Sequence, residues 1–263
     1  DIHIMPLRVN WPGDSIVSFR DIVELSSTEF FERLKASKQL PTTSQPSPGE
    51  FVEFFEEVAQ DYDEILAIFV SEVLSGTIKS AQFAINSLED LKIELVDSKT
   101  TSNGLGIIVL QCADMVKEGK KLGEIIQFAK DSAEKTRTWL MVDTMEYLHK
   151  GGRVSGSKKM IGNLLSMKPL IHFVDGKMEL FGTVRTRRKA IDTILDIIDV
   201  ELKSKHNLHM SVAHAQNLDL ANYTAEQIRI RFSPANLLFG ELSPVLATHS
   251  GPGALGISHL ALD

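Results

Sequence analysis

Cysteine is nearly missing from this chain. Cys112 is the only one in 263 residues, which excludes an intrachain disulfide and a thiolate metal cluster. A reducing, cytoplasmic setting is the expectation that fits. Basic charge is also short. The formal net charge is -7 at pH 7, whereas nucleic-acid binding needs a concentrated basic surface. No apolar run approaches the length of a membrane span. The opening Asp1-Ile2-His3-Ile4-Met5-Pro6 has neither the basic nor the apolar region of a signal peptide. It starts abruptly inside an expected strand, so the chain reads as a trimmed piece of a longer protein. P-loop, G-x-G-x-x-G and G-x-S-x-G patterns are all missing. The histidines show no H-E-x-x-H spacing, and no carboxylate cluster suggests a metal. No catalytic residue, metal or cofactor is therefore expected.

What is present is an ordinary globular composition, 43% hydrophobic and 24% charged, arranged in alternating strand and helix patterns. Ile2, Ile4, Leu7 and Val9 predict a strand. Ser26 and Glu29 form a capping box before the apolar stripe of Phe30, Phe31 and Leu34. The continuous run Ile65 to Val70 predicts a strand buried on both faces, as in a parallel sheet. Ile93 to Val96 predicts another, and helices are expected after each, including Leu122 to Ala133. From Thr138 the pattern changes. A helix is expected around Met160 to Leu165, and Asp175-Gly176 between two apolar runs predicts an antiparallel hairpin. A long amphipathic helix carries Ala190, Ile194, Leu195, Ile198 and Leu202. The expected fold is α/β with two domains. Residues 1–135 form a three-layer α/β/α unit with a parallel sheet, and residues 136–263 form a second α/β unit of different architecture.

Three stretches collect chemistry. Leu40-Pro41-Thr42-Thr43-Ser44-Gln45-Pro46-Ser47-Pro48-Gly49-Glu50 is a loop stiffened by proline. It leads into a helix with Ser47 at the N-cap, Pro48 at N1 and Glu50 at N3. Its Thr42, Thr43 and Ser44 lie beside a helix N-terminus, a place that receives an anion or a carboxylate. Ser71 to Thr77 puts hydroxyls at the carboxyl end of a strand, where α/β sheets bind ligands. Ser75 there reads equally as a helix N-cap. Thr248-His249-Ser250-Gly251-Pro252-Gly253 places a histidine after an apolar strand, before glycines that permit close approach. Arg185, Arg187, Arg188 and Lys189 read by default as the solvated start of a helix; because basic residues there oppose the macrodipole, the alternative is a contact with an anion or a partner. Arg153 serves that surface or pairs with a carboxylate.

Taken in order, Leu40 to Ser47, Leu74-Ser75-Gly76-Thr77, Gly151-Gly152-Arg153-Val154-Ser155, Lys168-Pro169, Val184 to Ala190 and Thr248 to Gly256 resemble the DegV family of bacterial fatty-acid-binding proteins. The resemblance spans nearly the whole chain. It implies a second domain of two layers with a mixed sheet. It also implies a long-chain fatty acid held in a buried apolar tunnel, and a protein without turnover of its own. Such a protein presents the bound acid to a separate fatty acid kinase subunit for acyl-phosphate formation in phospholipid metabolism, with transient membrane-surface contact. Carried over by motif, Thr42, Thr43, Ser71, Glu72, Ser75 and His249 would surround the carboxylate, and Arg153, Arg185 and Arg187 would face the kinase. Burying methylenes at about 0.8 kcal/mol each favours the tail. The carboxylate is costly to bury unpaired, and hydroxyls with a histidine meet that need.

The family often has Ser-Ser-Gly where this chain has Ser71-Glu72-Val73. A Glu72 side chain turned into the site would repel the ligand carboxylate or force one acid to keep its proton. The alternative reading is an enzyme of small carbonyl or carboxylate substrates, related to the dihydroxyacetone kinase substrate-binding subunit. It would use His249, with Glu72 as acid or base.

Overall fold

The computed structural model describes residues 1–13, 17–154, 166–203 and 205–263. The helix expected around Met160 to Leu165, and Ser155 of the Gly151 motif, lie outside the described residues.

The N-terminal strand is shorter than its sequence pattern. β1 covers only Arg8–Trp11, and Ile2 and Ile4 are exposed. Pro6 supplies no N–H, and pairing begins only where β2 (Val17–Arg20) and β3 (Thr42–Ser44) run antiparallel to β1. The stretch read as a stiff loop thus contributes a short strand. α1 (Ser27–Ala36) begins with the expected capping box of Ser26 and Glu29. α2 (Pro48–Val58) begins with that of Ser47 and Glu50.

β4 (Glu64–Phe69) and β5 (Lys92–Asp97) pair in parallel. Phe69 of β4 packs with Phe51 and Phe55 of α2 and with Ala81 of α3 (Thr77–Ile85) on one face. Val96 packs with α4 (Ser102–Lys117) and α5 (Leu122–Lys135) on the other. This is the three-layer α/β/α arrangement. β4 is mostly half-buried rather than buried on both faces, because β5 is its only described sheet neighbour.

The second sheet has six strands in the order β10-β9-β11-β6-β7-β8. They are β6 (Arg137–Met141), β7 (Lys168–Val174), β8 (Lys177–Val184), β9 (Leu208–His214), β10 (Asn236–Glu241) and β11 (Leu255–Ala261). β9 and β10 are parallel and the other pairs antiparallel, so the sheet is mixed. The β7–β8 hairpin turns at Asp175 and Gly176, with φ of 47° and 77°, as the Asp-Gly pair predicts. One face is covered by α7 (Arg187–Glu201) and α8 (Leu218–Phe232). There Ile191, Ile194, Leu195 and Ile198 are fully buried, each favouring the fold by about 1.5–3 kcal/mol. The opposite face packs Leu140, Ile171 and Ala213, with Val245 from the helix before β11, against Val9, Leu25, Phe30 and Phe31. The antiparallel N-terminal sheet and α1 therefore share a core with the six-stranded sheet, while β4 and β5 form their own layer.

Candidate functional site

The histidine stretch is built differently from its sequence reading. Leu242 to Ala247 is not a strand. Ser243 caps a helix whose first position is Pro244, the same start signal as Ser47-Pro48. α9 (Pro244–Ser250) carries His249 in its last turn. Asp21, in the loop after β2, accepts a hydrogen bond from the Val245 N–H at 3.0 Å and so fixes the start of α9. Burial raises the Asp21 carboxyl above the usual range.

α9 interlocks with α6 (Glu146–Lys150) through two glycines. A Cβ at Gly151 would lie 2.3 Å from His249 Nδ1, and one at Gly251 would lie 2.3 Å from Tyr147 Cδ2. The glycines after His249 thus admit protein side chains: Gly251 admits the Tyr147 ring, and Gly253 the Asp143 carboxylate.

His249 Nε2 lies 2.7 Å from Thr43 Oγ1. Its Nδ1 is buried with no hydrogen-bond partner among the described residues. Burial, and after it the Arg153 charge, push the imidazole pKa down to about 4, so the ring is neutral at pH 7. Nδ1 packs on Gly151, where it finds no acceptor, so we assign the single proton to Nε2. Nε2–H then donates to Thr43, which leaves the Thr43 hydroxyl hydrogen free to donate elsewhere.

β3 alternates, so Thr43 faces a cavity while Thr42 is exposed. That cavity, of about 220 Å³, is walled mainly by apolar side chains, among them Leu7, Val70, Leu105, Leu140, Phe173 and Leu246. Ser75 lines it as well, its Oγ 2.7 Å from Thr77 Oγ1. Ser75 does not cap α3. The N-cap is Gly76, which has no side-chain cap bond.

Arg153, whose spacing fits a partner surface or a carboxylate equally, lines this cavity with its side chain. Nε donates to the Leu74 carbonyl at 3.2 Å and Nη1 to the Gly151 carbonyl at 2.6 Å. Arg153 forms no ion pair among the described residues. A guanidinium held by two carbonyls beside a neutral imidazole retains its charge for an incoming anion.

The other expected residues fall elsewhere. Ser71 is fully buried and donates to the Gly176 carbonyl at 2.8 Å, tying the turn after β4 to the β7–β8 hairpin. Glu72 is exposed and outside the cavity lining, so the repulsion expected of an inward carboxylate does not arise. Arg185 is exposed. Arg187 is also at the surface and pairs with Asp143, through Nε at 2.8 Å. That pairing holds the Asp143 carboxyl below its usual range. The sequence reading missed Thr138, Ser211 and Ser258 in the cavity wall, and Ser102 and Asn103 at the start of α4. The visible signal was one hydroxyl residue in each of three strands, with a small residue two positions away in two of them, Ala213 and Gly256. Only the pairing register brings them together.

A family model described as an uncharacterised protein of the DegV family matches residues 1–262. The chain belongs to the DegV family. A DegV domain-containing protein of Halalkalibacterium halodurans is 34% identical over 258 residues, covering 98% of this chain and 90% of that protein. Protein DegV of Bacillus subtilis is 32% identical over 257 residues, covering 97% and 90%. Among solved structures, a fatty-acid-binding DegV family protein from Thermus thermophilus superposes with a TM-score of 0.91 at 29% identity, covering 98% of this chain and 91% of that one. The Bacillus subtilis DegV structure, described as a fatty acid binding protein, gives 0.88 at 31% identity over the same shares. The α/β architecture, with one parallel and one mixed sheet, is thus that of the DegV fold. No described helix is long and apolar enough to cross a membrane. Among the described residues, no group of three or more potential ligands is placed to hold a metal.

Proposed function

We propose that this DegV protein binds a long-chain fatty acid without turning it over and presents the carboxylate to a separate kinase for acyl-phosphate formation. The observation that carries the reading is the composition of one cavity. Its walls are mainly apolar, and its lining also includes Thr43, Ser75, neutral His249 and Arg153, which has no ion pair among the described residues. The tail gains about 0.8 kcal/mol for each methylene removed from water. The head group accepts from Thr43 and Ser75 while Arg153 balances its charge. His249 donates Nε2–H to Thr43 Oγ1 and so directs the Thr43 hydroxyl hydrogen toward the head group. Arg153 thereby belongs to head-group recognition. Arg185 and Arg187, exposed at the start of α7, are the residues we assign to the kinase surface. Binding of fatty acid by similar DegV proteins supports the ligand class. The setting is bacterial, cytoplasmic phospholipid metabolism, with membrane contact limited to transient exchange of the acid.

Extraction of purified protein followed by mass spectrometry of the lipid fraction tests this. A long-chain acid in near-stoichiometric amount is expected. Protein that carries no acyl chain and takes up none from solution would contradict it.

A further inference from the structure

The hydroxyls that the sequence reading missed form a second polar feature in the same cavity. Ser258 on β11 stands opposite Thr138 on β6 and opposite Ser211 on β9. The three side chains therefore make one row across adjacent strands on the cavity face. β11 runs away from α9, and Ser258 is three residues past the strand start at Leu255. The row thus lies roughly 10 Å down the sheet at about 3.3 Å per residue. The α9 end of the strand, where His249 lies, is therefore separated from the row along β11.

The row is short of partners. Thr138 Oγ1 is 2.7 Å from Thr100 Oγ1 and donates to Ser258 Oγ at 3.0 Å. Each hydroxyl has one hydrogen. With Thr138 donating to Ser258, Thr100 supplies the hydrogen between itself and Thr138, and the Ser258 hydrogen is left over. Ser211 makes no side-chain hydrogen bond among the described residues, although it is only 1% exposed and Ser258 only 3%. Gly104 leaves the space for this trio, since a Cβ there would lie 2.8 Å from Thr100 Oγ1 and from Thr138 Oγ1. α4 starts beside the same cavity wall with no side-chain cap, which adds positive potential there. An unsubstituted tail passing the row would bury these hydroxyls against methylenes, which is costly.

We infer that the preferred ligand is an oxygenated fatty acid, with a hydroxyl or keto oxygen on the acyl chain well removed from the carboxylate and bonded to Ser211 and Ser258. This rests on the fatty-acid reading above and narrows it. The test is competition binding on the full chain. It uses one straight-chain acid and its monohydroxy forms, with the hydroxyl moved carbon by carbon along the chain. One position, or two adjacent ones, is expected to bind on the order of tenfold more tightly than the parent acid, the worth of a hydrogen bond in a buried site. In the Ser211→Ala/Ser258→Ala variant that preference should vanish and the parent acid should bind more tightly. A flat series, with the parent bound as well as any hydroxy form, would overturn the inference and leave the fatty-acid reading standing. Failure of every acid to bind would overturn both.

Discussion

Gly151→Ala is expected to lower fatty-acid affinity by on the order of ten- to a hundredfold, the loss that follows from misplacing hydrogen bonds to a charged head group. Gly151 meets the proposed site in two ways, by packing on His249 and by accepting from Arg153 Nη1 through its carbonyl. Its φ is -73°, so alanine fits the backbone. The penalty is steric, because the new methyl would sit 2.3 Å from His249 Nδ1 and 3.0 Å from the Tyr147 carbonyl. α9 must move or the imidazole must rotate, and either change breaks the 2.7 Å contact with Thr43. Overpacking of this kind costs about 1–3 kcal/mol of stability, so most of the fold survives. Titration calorimetry alongside thermal melts separates the two effects. Gly123→Ala is the control. That glycine lies in α5 with nothing within 4 Å of its added Cβ, so stability should rise slightly and affinity should not change. Unaltered affinity in Gly151→Ala would detach His249 from the site.

Arg153→Met should lower affinity by roughly tenfold or more, since a charge-assisted bond to the carboxylate is lost. Methionine keeps much of the side-chain volume, so packing alone does not account for the change. A second readout is specific to the charge. Arg153 is the second cause, after burial, that depresses the His249 pKa to about 4. Without it the imidazole should titrate higher, toward its ordinary value of 6.5. The sign for stability follows. A histidine buried neutral is protonated first in the unfolded chain, so its contribution is present above 6.5 and is lost as pH falls toward 4. In the variant that loss should level off at a higher pH. NMR of the His249 ring reports the pKa directly. A His249 titration identical in both proteins would show that the guanidinium does not act on the imidazole.

Much of this was legible in the residues, and the failures have physical causes. Ser26-Glu29 and Ser47-Glu50 were read correctly because a capping box is a local signal. Asp175-Gly176 was legible for the same reason, since two positive φ angles in succession suit that pair. The apolar face of α7 followed from helical periodicity. The last stretch was misread because Leu242 to Ala247 is short and apolar, and such a run fits either a strand or a helix. Ser243-Pro244 was the local cue that decides for helix. Strand β11, which follows it and lies between β6 and β9, was not anticipated.

The site was legible in part. Thr43, Ser75 and His249 line the cavity, while Thr42 and Glu72 do not: Thr42 alternates outward on the short strand β3, and which way the turn residue Glu72 faces is set by tertiary contacts. Ser71 is a hydroxyl of the expected type, but the Gly176 carbonyl takes its bond. Arg153 could not be assigned from spacing, because its two carbonyl partners, Leu74 and Gly151, are 79 and 2 residues away. The row of Thr138, Ser211 and Ser258 depends on strand register across residues more than 45 positions apart in sequence.

The central claim concerns where the head group sits, and a crystal structure of the protein with a long-chain fatty acid tests it most directly. The carboxylate is expected within hydrogen-bonding distance of the Thr43 hydroxyl that His249 orients, with the Arg153 guanidinium beside it and the tail running along the sheet toward Ser258. A carboxylate bound at the Ser211–Ser258 row, or an acid lying outside this cavity altogether, would contradict the account.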